Sequence, residues 1–220
     1  WRETPDVETN HDLAYARSAD GGKTWTRTDG SLCPPPITAA TAEYAARIPQ
    51  RSELANQTSM DTDDQGRPYI ANFWREAQDA APQYRIVFHR GEGWRTVQVG
   101  RREVDFRREG GGTKRSPVSR PRLLIDGRGP STRAYLLFRD IERERRMSVA
   151  SCENLPDGQW TIRDLTASSV GQADPLHDPI VWQQRREIHL FTQFVGQGDG
   201  ETMEDLPPQM VSVVAWSPHP

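Results

Sequence analysis

Tyr84-Arg-Ile-Val-Phe-His89, a short turn and Gly93-Trp94-Arg-Thr-Val-Gln-Val99 decide the fold, because the same phrase recurs along the chain. Its β-branched and aromatic residues, bounded by Gly, predict two antiparallel strands. The counterparts are Asp12-Leu-Ala-Tyr-Ala-Arg17 with Lys23-Thr-Trp25, Met147-Ser-Val-Ala-Ser-Cys152 with Gln159-Trp160-Thr-Ile162, and Met210-Val-Ser-Val-Val-Ala-Trp216. Trp25, Trp94 and Trp160 stand 69 and 66 residues apart. A further strand pair precedes each of the last three hairpins. Arg67–Trp74 follows Asp64-Gln-Gly66, Arg133–Phe138 follows Leu123–Gly127, and Glu187–Thr192 follows Pro179-Ile-Val-Trp182. Four short antiparallel strands per unit is the pattern of a propeller blade.

The expected class is therefore all-β, a β-propeller of four-stranded antiparallel blades. Residues 1–28 supply half a blade, 54–100 a blade, 118–166 a second, and 175–220 an incomplete one, with 101–117 as a basic insertion between blades. That makes about three and a half blades, whereas a ring closes with four to eight. The 220 residues therefore read as a piece of a larger propeller of about seven blades, expected to be inactive or poorly folded alone. A β-sandwich with irregular loops is the alternative the strand pattern allows. Thr38–Ala55 is Ala-rich and predicts a helical turn or two, interrupted at Pro49.

Composition narrows the function. Hydrophobic residues make 35% of the chain, and no apolar run approaches the roughly 18 residues of a membrane span. A net charge of −3 argues against a general nucleic-acid binder. That charge is uneven, because residues 101–122 carry eight basic and three acidic side chains around Gly110-Gly-Gly112, leaving −8 on the remainder. The insertion reads as a solvated loop or as a cationic wall beside an anionic ligand. Gly110-Gly-Gly-Thr-Lys114 lacks the ending of a phosphate loop. Cys33 and Cys152 form no disulfide framework, and Cys33, before Pro34-Pro-Pro36, reads as a packed thiol. His177, His189 and Cys152 lack the tight spacing of a zinc site, so no metal site is expected and a structural ion is unsupported. Glu201, Glu204 and Asp205 read as a solvated loop.

Ser18-Ala-Asp20-Gly-Gly22-Lys-Thr24-Trp25 fits the pattern Ser-x-Asp-x-Gly-x-Thr-Trp, the aspartate box of bacterial neuraminidase repeats. Asp20 can accept turn amides, Gly22 tolerates positive φ, and Trp25 can pack beneath the turn. This is a folding device and carries no chemistry. Trp1–Tyr15, Glu53–Met60, Gly66–Arg75 and Ser119–Asp126 extend the likeness. Together these phrases resemble the neuraminidase-repeat family that includes the propeller-type ulvan lyases.

That resemblance implies a seven-bladed propeller that cleaves a uronate-containing, sulfated polysaccharide by β-elimination. It implies a secreted or periplasmic protein, although this chain shows no signal peptide, and a monomer when full length. Such a reaction needs no metal or organic cofactor. A cation must neutralise the uronate, a base must take the C5 proton, and an acid can protonate the leaving O4. The resemblance assigns an active-site role to His11, and a proton-transfer and carboxylate-neutralising pair to Tyr69 and Arg85, 16 residues apart. The family's further His would lie upstream of Asn10-His11-Asp12. Sugar contacts are expected from Asn10, Asn56, Gln57, Ser119, Arg120, Tyr135, His177 and Asp178, most of which sit just before the first strand of a blade. Two other classes stay open. One is a sialidase-like hydrolase, for which an arginine triad and a Tyr/Glu pair cannot be assembled; the other is a non-catalytic glycan-binding propeller.

Overall fold

The computed structural model describes residues 1–127, 131–155, 158–202 and 204–218, so parts of the expected blades 118–166 and 175–220 lie outside the described residues. Four antiparallel sheets follow one another along the chain. The first pairs β1 (Leu13–Tyr15) with β2 (Glu43–Ala46). The second runs in the order β3 (Ser59–Thr62), β4 (Pro68–Trp74), β5 (Gln83–His89) and β6 (Trp94–Gln98). The third repeats that order with β7 (Arg122–Asp126), β8 (Arg133–Arg139), β9 (Met147–Cys152) and β10 (Thr161–Asp164). The fourth has β11 (Leu176–His177), β12 (Ile188–Thr192) and β13 (Ser212–Trp216).

The sheets stack face to face, and strand alternation explains how. Along β4, Tyr69, Ala71 and Phe73 join Tyr84, Ile86 and Phe88 of β5 against Leu123, Ile125, Leu136 and Phe138 of the next sheet. Ile70, Trp74 and Val87 point the other way, onto Leu13, Ala45 and Ile48. The far face of the third sheet packs Leu124, Tyr135, Leu137 and Val149 on Ile188, Leu190 and Trp182. All seven residues of β4 are buried, as expected of a strand covered on both faces. Consecutive four-stranded sheets stacked in this way form a partial propeller.

The innermost strands β3 and β7 lie side by side. Their edges are joined by side chains: the Leu123 amide donates to Ser59 Oγ at 2.9 Å, and the Ile125 amide to Asp61 Oδ2 at 2.8 Å. These bonds satisfy edge amides that a flat sheet would leave open. Burial raises the Asp61 pKa despite the Ile125 amide. The outer face of the fourth sheet is bare, with Leu176, Phe191 and Val213 exposed in cross-strand register.

Four expectations need correction. Pro179-Ile-Val-Trp182 is not a strand but the start of helix α1 (Pro179–Arg185). Asp178 caps it by accepting from the Ile180 and Val181 amides at 2.8 and 3.1 Å, with Pro179 in the first turn. The Ala-rich Thr38–Ala55 segment keeps a single turn at Thr38–Ala42 and then enters β2, since β1 offers it a partner. The first unit consequently runs past residue 28. Trp25 lies not in a strand but beside an isolated bridge between Arg17 and Thr26.

The Ser18–Trp25 turn is closed as its residues suggest. Asp20 Oδ1 accepts from the Lys23 and Thr24 amides at 3.1 and 2.9 Å, and Oδ2 from Thr24 Oγ1 at 2.7 Å. Ser18 Oγ takes the Gly22 amide at 2.7 Å, and Trp25 Nε1 donates to the Gly22 carbonyl at 3.2 Å. Gly22 has φ 88°, a conformation an L side chain resists. The Thr24 bonds, chiefly the backbone one, pull the Asp20 pKa down to about 2.

Candidate functional site

At the end of the stack where the inner strands β3, β7 and β11 begin, the preceding segments surround a cavity of about 400 Å³. Asn56 and Gln57 come from ahead of β3, Arg120 from ahead of β7, and Asp174 from ahead of β11. The strap of residues 101–117 supplies Arg108 and Lys114, the N-terminal segment supplies Arg2, and the end of β8 supplies Arg139. The wall is thus mainly cationic and amide, suited to sugar hydroxyls and anionic groups.

The strap is not a solvated loop. Arg102 is buried and forms a bidentate pair with Asp140, through Nε and through Nη2 at 3.1 Å, and Glu142 lies 3.5 Å away. Arg108 is held by Glu53 and lies over the Phe73 ring, 4.9 Å from its centre. The tip is fastened at both sides. The Val7 amide donates to the Gly110 carbonyl and the Gly110 amide to Asp6, while Glu201 accepts from Thr113 N and Oγ1 at 2.8 and 2.6 Å. Arg115 pairs with Glu204 at 3.2 Å. Glu201 and Glu204, exposed as their reading as a solvated loop expects, also fasten the strap. The Thr113 donors lower the Glu201 pKa.

The structure separates the expected catalytic residues. In the β4–β5 register Tyr69 faces Phe88, while Arg85 faces Asn72. Tyr69 and Asn72 differ by an odd number of residues, so Tyr69 and Arg85 project from opposite faces of the sheet. Tyr69 is fully buried, stacked on Phe88 with ring centres 5.6 Å apart, and its hydroxyl donates to Asp63 at 3.2 Å. Arg85 is also buried, paired with Asp79 at 2.5 Å and Glu76 at 3.3 Å, and donates to the Trp74 carbonyl at 2.6 Å. Its charge is already matched by its own loop. The Tyr69–Arg85 pair is corrected to two core groups in different interfaces.

His11 sits on a separate concavity with Asp12, Arg47 and Ile48. Its Nε2 lies 2.7 Å from Glu3 and its Nδ1 3.1 Å from Asp12. Burial acts to raise the Asp12 pKa, but the Ile48 amide and His11 outweigh it and the net shift is down. Asn10 is buried and donates to the Leu54 carbonyl at 2.9 Å. It also bridges to Arg2, so His11 follows directly on a contact with the cavity wall.

The remaining expected sugar contacts divide. Asn56, Gln57 and Arg120 line the cavity. Arg120 is paired with Asp174 at 3.2 Å, and burial raises the Asp174 pKa against that pairing. Ser119 is buried and structural, its Oγ accepting the Arg139 amide at 2.9 Å. Tyr135 is corrected to a core residue between the third and fourth sheets, edge-on to Trp182 and Trp216, where burial raises its phenol pKa. Asp178 is the helix cap described above. His177 lines a second concavity along β3 and β7, with Asp61, Arg122 and Arg186; burial and then Arg122 lower its pKa. Among the described residues no cluster of His, Cys, Asp and Glu is arranged to hold a metal, and Cys33 and Cys152 are both buried and unbridged.

Residues 1–102 match the BNR repeat-containing family. No curated protein sequence matches the chain. Among solved structures it is similar to the crystal structure of the polysaccharide lyase Uly1, with a TM-score of 0.52 and 12% identity. The match covers 96% of this chain and 41% of that one, so the chain spans about two-fifths of its length. At this identity the likeness shows the fold. In fold, the chain is a BNR-like partial propeller resembling that lyase.

Arg139 and the contacts that fasten the strap to Asp140, Asp6 and Glu201 were missed by sequence reasoning. An arginine closing the otherwise apolar run Ala134–Phe138 was the available signal for the first.

Proposed function

We propose that the protein carrying this chain binds an anionic, uronate-containing polysaccharide, ulvan-like in chemistry, in the cavity before β3, β7 and β11, and cleaves it by β-elimination. The observation that carries this reading is the cavity wall, which brings Arg2, Arg108, Lys114, Arg120 and Arg139 together with Asn56 and Gln57. Cations on the uronate carboxylate lower the cost of removing the C5 proton, because they stabilise the enolate-like charge that develops there. A base takes that proton, a C4–C5 double bond forms as the bond from C4 to the glycosidic oxygen breaks, and that oxygen leaves with the electron pair and takes up a proton from an acid or from solvent. The family resemblance gives that proton-holding role to His11, whose two nitrogens lie beside Glu3 and Asp12. It lies on the separate concavity with Asp12 and Arg47, so the bound chain would have to extend there from the cavity. A polymer of this kind is met outside the cytoplasm, so the protein is placed there, acting as a monomer.

A second reading, a non-catalytic glycan-binding propeller, is favoured by one observation. Tyr69 and Arg85 are committed to the core, and neither lines the cavity. The experiment mixes the protein with uronate polysaccharides and follows the ultraviolet absorbance of an unsaturated uronate product. Absorbance growing with time supports the lyase. Binding without product selects the second reading, and new reducing ends without that absorbance indicate a hydrolase. Neither binding nor product overturns the proposal.

A further inference from the structure

Three arginine side chains, Arg85 on β5, Arg102 in the strap and Arg139 at the end of β8, are buried to nearly the same degree, and they differ in what answers their charge. Arg85 faces Asp79 and Glu76, and Arg102 faces Asp140 and Glu142. Arg139 is only 1% exposed, and among the described residues no carboxylate lies within ion-pair distance of it. Its partners are backbone carbonyls: Nε donates to Ala173 at 3.2 Å, and Nη1 to Ser116 and Pro117, each at 3.2 Å. Nη2 has no hydrogen-bond partner among the described residues, and the side chain lines the cavity. Asp174 and Asp140 act on it only without contact; a buried guanidinium with no carboxylate in contact is costly, and the cost is relieved when an anion arrives.

The position is also rigid. The Arg139 amide donates to Ser119 Oγ, and its carbonyl accepts from the Ser119 amide at 2.9 Å and from the Tyr84 hydroxyl at 3.2 Å. Three carbonyls from two neighbouring segments fix the guanidinium plane, so its free edge is presented to the cavity with little entropy left to lose. Burial lowers the Arg139 pKa, but an arginine stays protonated at any ordinary pH. Arg120 is a contrast, since it is half-exposed and already neutralised by Asp174.

We infer that Arg139 is the anion anchor of the cavity, holding a carboxylate or sulfate oxygen of the bound chain through Nη2. The inference rests on the polysaccharide reading for its ligand, and on the cavity alone for its charge. It moves the carboxylate-holding role expected of Arg85 to a different blade.

The test compares the protein with Arg139→Gln and Arg139→Lys, using a glucuronate oligosaccharide, its carboxyl-reduced neutral counterpart, a sulfated neutral oligosaccharide and inorganic sulfate as probes in calorimetric titrations. Near-ultraviolet circular dichroism checks that each variant is folded. The expected result is a loss of at least tenfold in affinity for one anionic probe in Arg139→Gln, partial recovery in Arg139→Lys, and an unchanged affinity for the neutral oligosaccharide. The carboxylate and sulfate probes decide which group is held. Equal losses for neutral and anionic probes, or an unchanged anion affinity in a folded variant, overturn the assignment. If the oligosaccharides do not bind but sulfate binds the protein and not Arg139→Gln, the anion site stands and the polysaccharide reading fails. Sulfate binding that survives Arg139→Gln means an adventitious ion only and overturns the site. Should Arg139→Gln not fold, the same titrations on Arg139→Lys decide, since a charge without the planar fork weakens an anion site and leaves neutral sugar binding in place.

Discussion

Replacing Asp140 with Asn removes one charge from the anchor of the strap while keeping its shape. In the native fold Asp140 and Arg102 are 3% and 4% exposed at their side chains, so neither charge is answered by water. The side-chain oxygen of the introduced asparagine would still accept the Glu142 amide that Asp140 takes at 3.0 Å, so the short 3-10 helix Ile141–Arg143 keeps its cap. What is lost is the counter-charge of Arg102. Breaking a buried pair from one side costs about 3–5 kcal/mol. Glu142, 3.5 Å from Arg102, and the Pro82 carbonyl, 2.9 Å away, offset part of that. The expected loss is thus about 3 kcal/mol, the low end of that range. In urea denaturation this moves the midpoint down by roughly 1–1.5 M, taking a typical slope for a domain of this size. Arg102→Met made together with Asp140→Asn should lose clearly less than the two singles summed, because no unpaired charge remains. A loss below about 1 kcal/mol, or an additive cycle, would refute the claim that this pair is buried and mutually dependent.

Two further outcomes test the reassigned Tyr69 and the Ser18–Trp25 turn. Tyr69→Phe removes one 3.2 Å hydrogen bond to Asp63 and should cost about 1 kcal/mol of stability, with no change in polysaccharide binding or turnover; loss of turnover at full folding would restore its catalytic reading. Asp20→Asn tests the turn. The folded pKa of about 2 lies below the ordinary 3.8, so Asp20 contributes stability above pH 3.8 that is lost as pH falls toward 2. The melting temperature of the native protein should therefore fall more steeply than that of the variant across that window, and parallel curves would contradict the turn geometry.

The strands of the two central blades were legible because β4, β5, β8 and β9 are β-branched and aromatic runs cut by Gly, Asp and Pro. Elsewhere local signals competed with tertiary ones. Glu43–Ala46 has helical composition, yet β1 supplies a partner, and pairing outweighs a propensity difference of a few tenths of a kcal/mol per residue. Pro179–Trp182 is as apolar as a strand, but Asp178-Pro179 is a helix start, and its capping was readable. The Tyr69–Arg85 pairing failed on parity: a 16-residue spacing says nothing about register until the intervening hairpin is known. The strap partners were illegible for a different reason. Asp140 is 38 residues from Arg102, and Glu201 is 88 from Thr113, so no local pattern joins them.

The most direct measurement is a crystal structure of the protein soaked with a uronate oligosaccharide. Sugar density is expected in the cavity between Asn56 and Arg120, with an anionic oxygen within hydrogen-bond distance of Arg139 Nη2. Density elsewhere on the propeller, with this cavity occupied only by solvent, would contradict it.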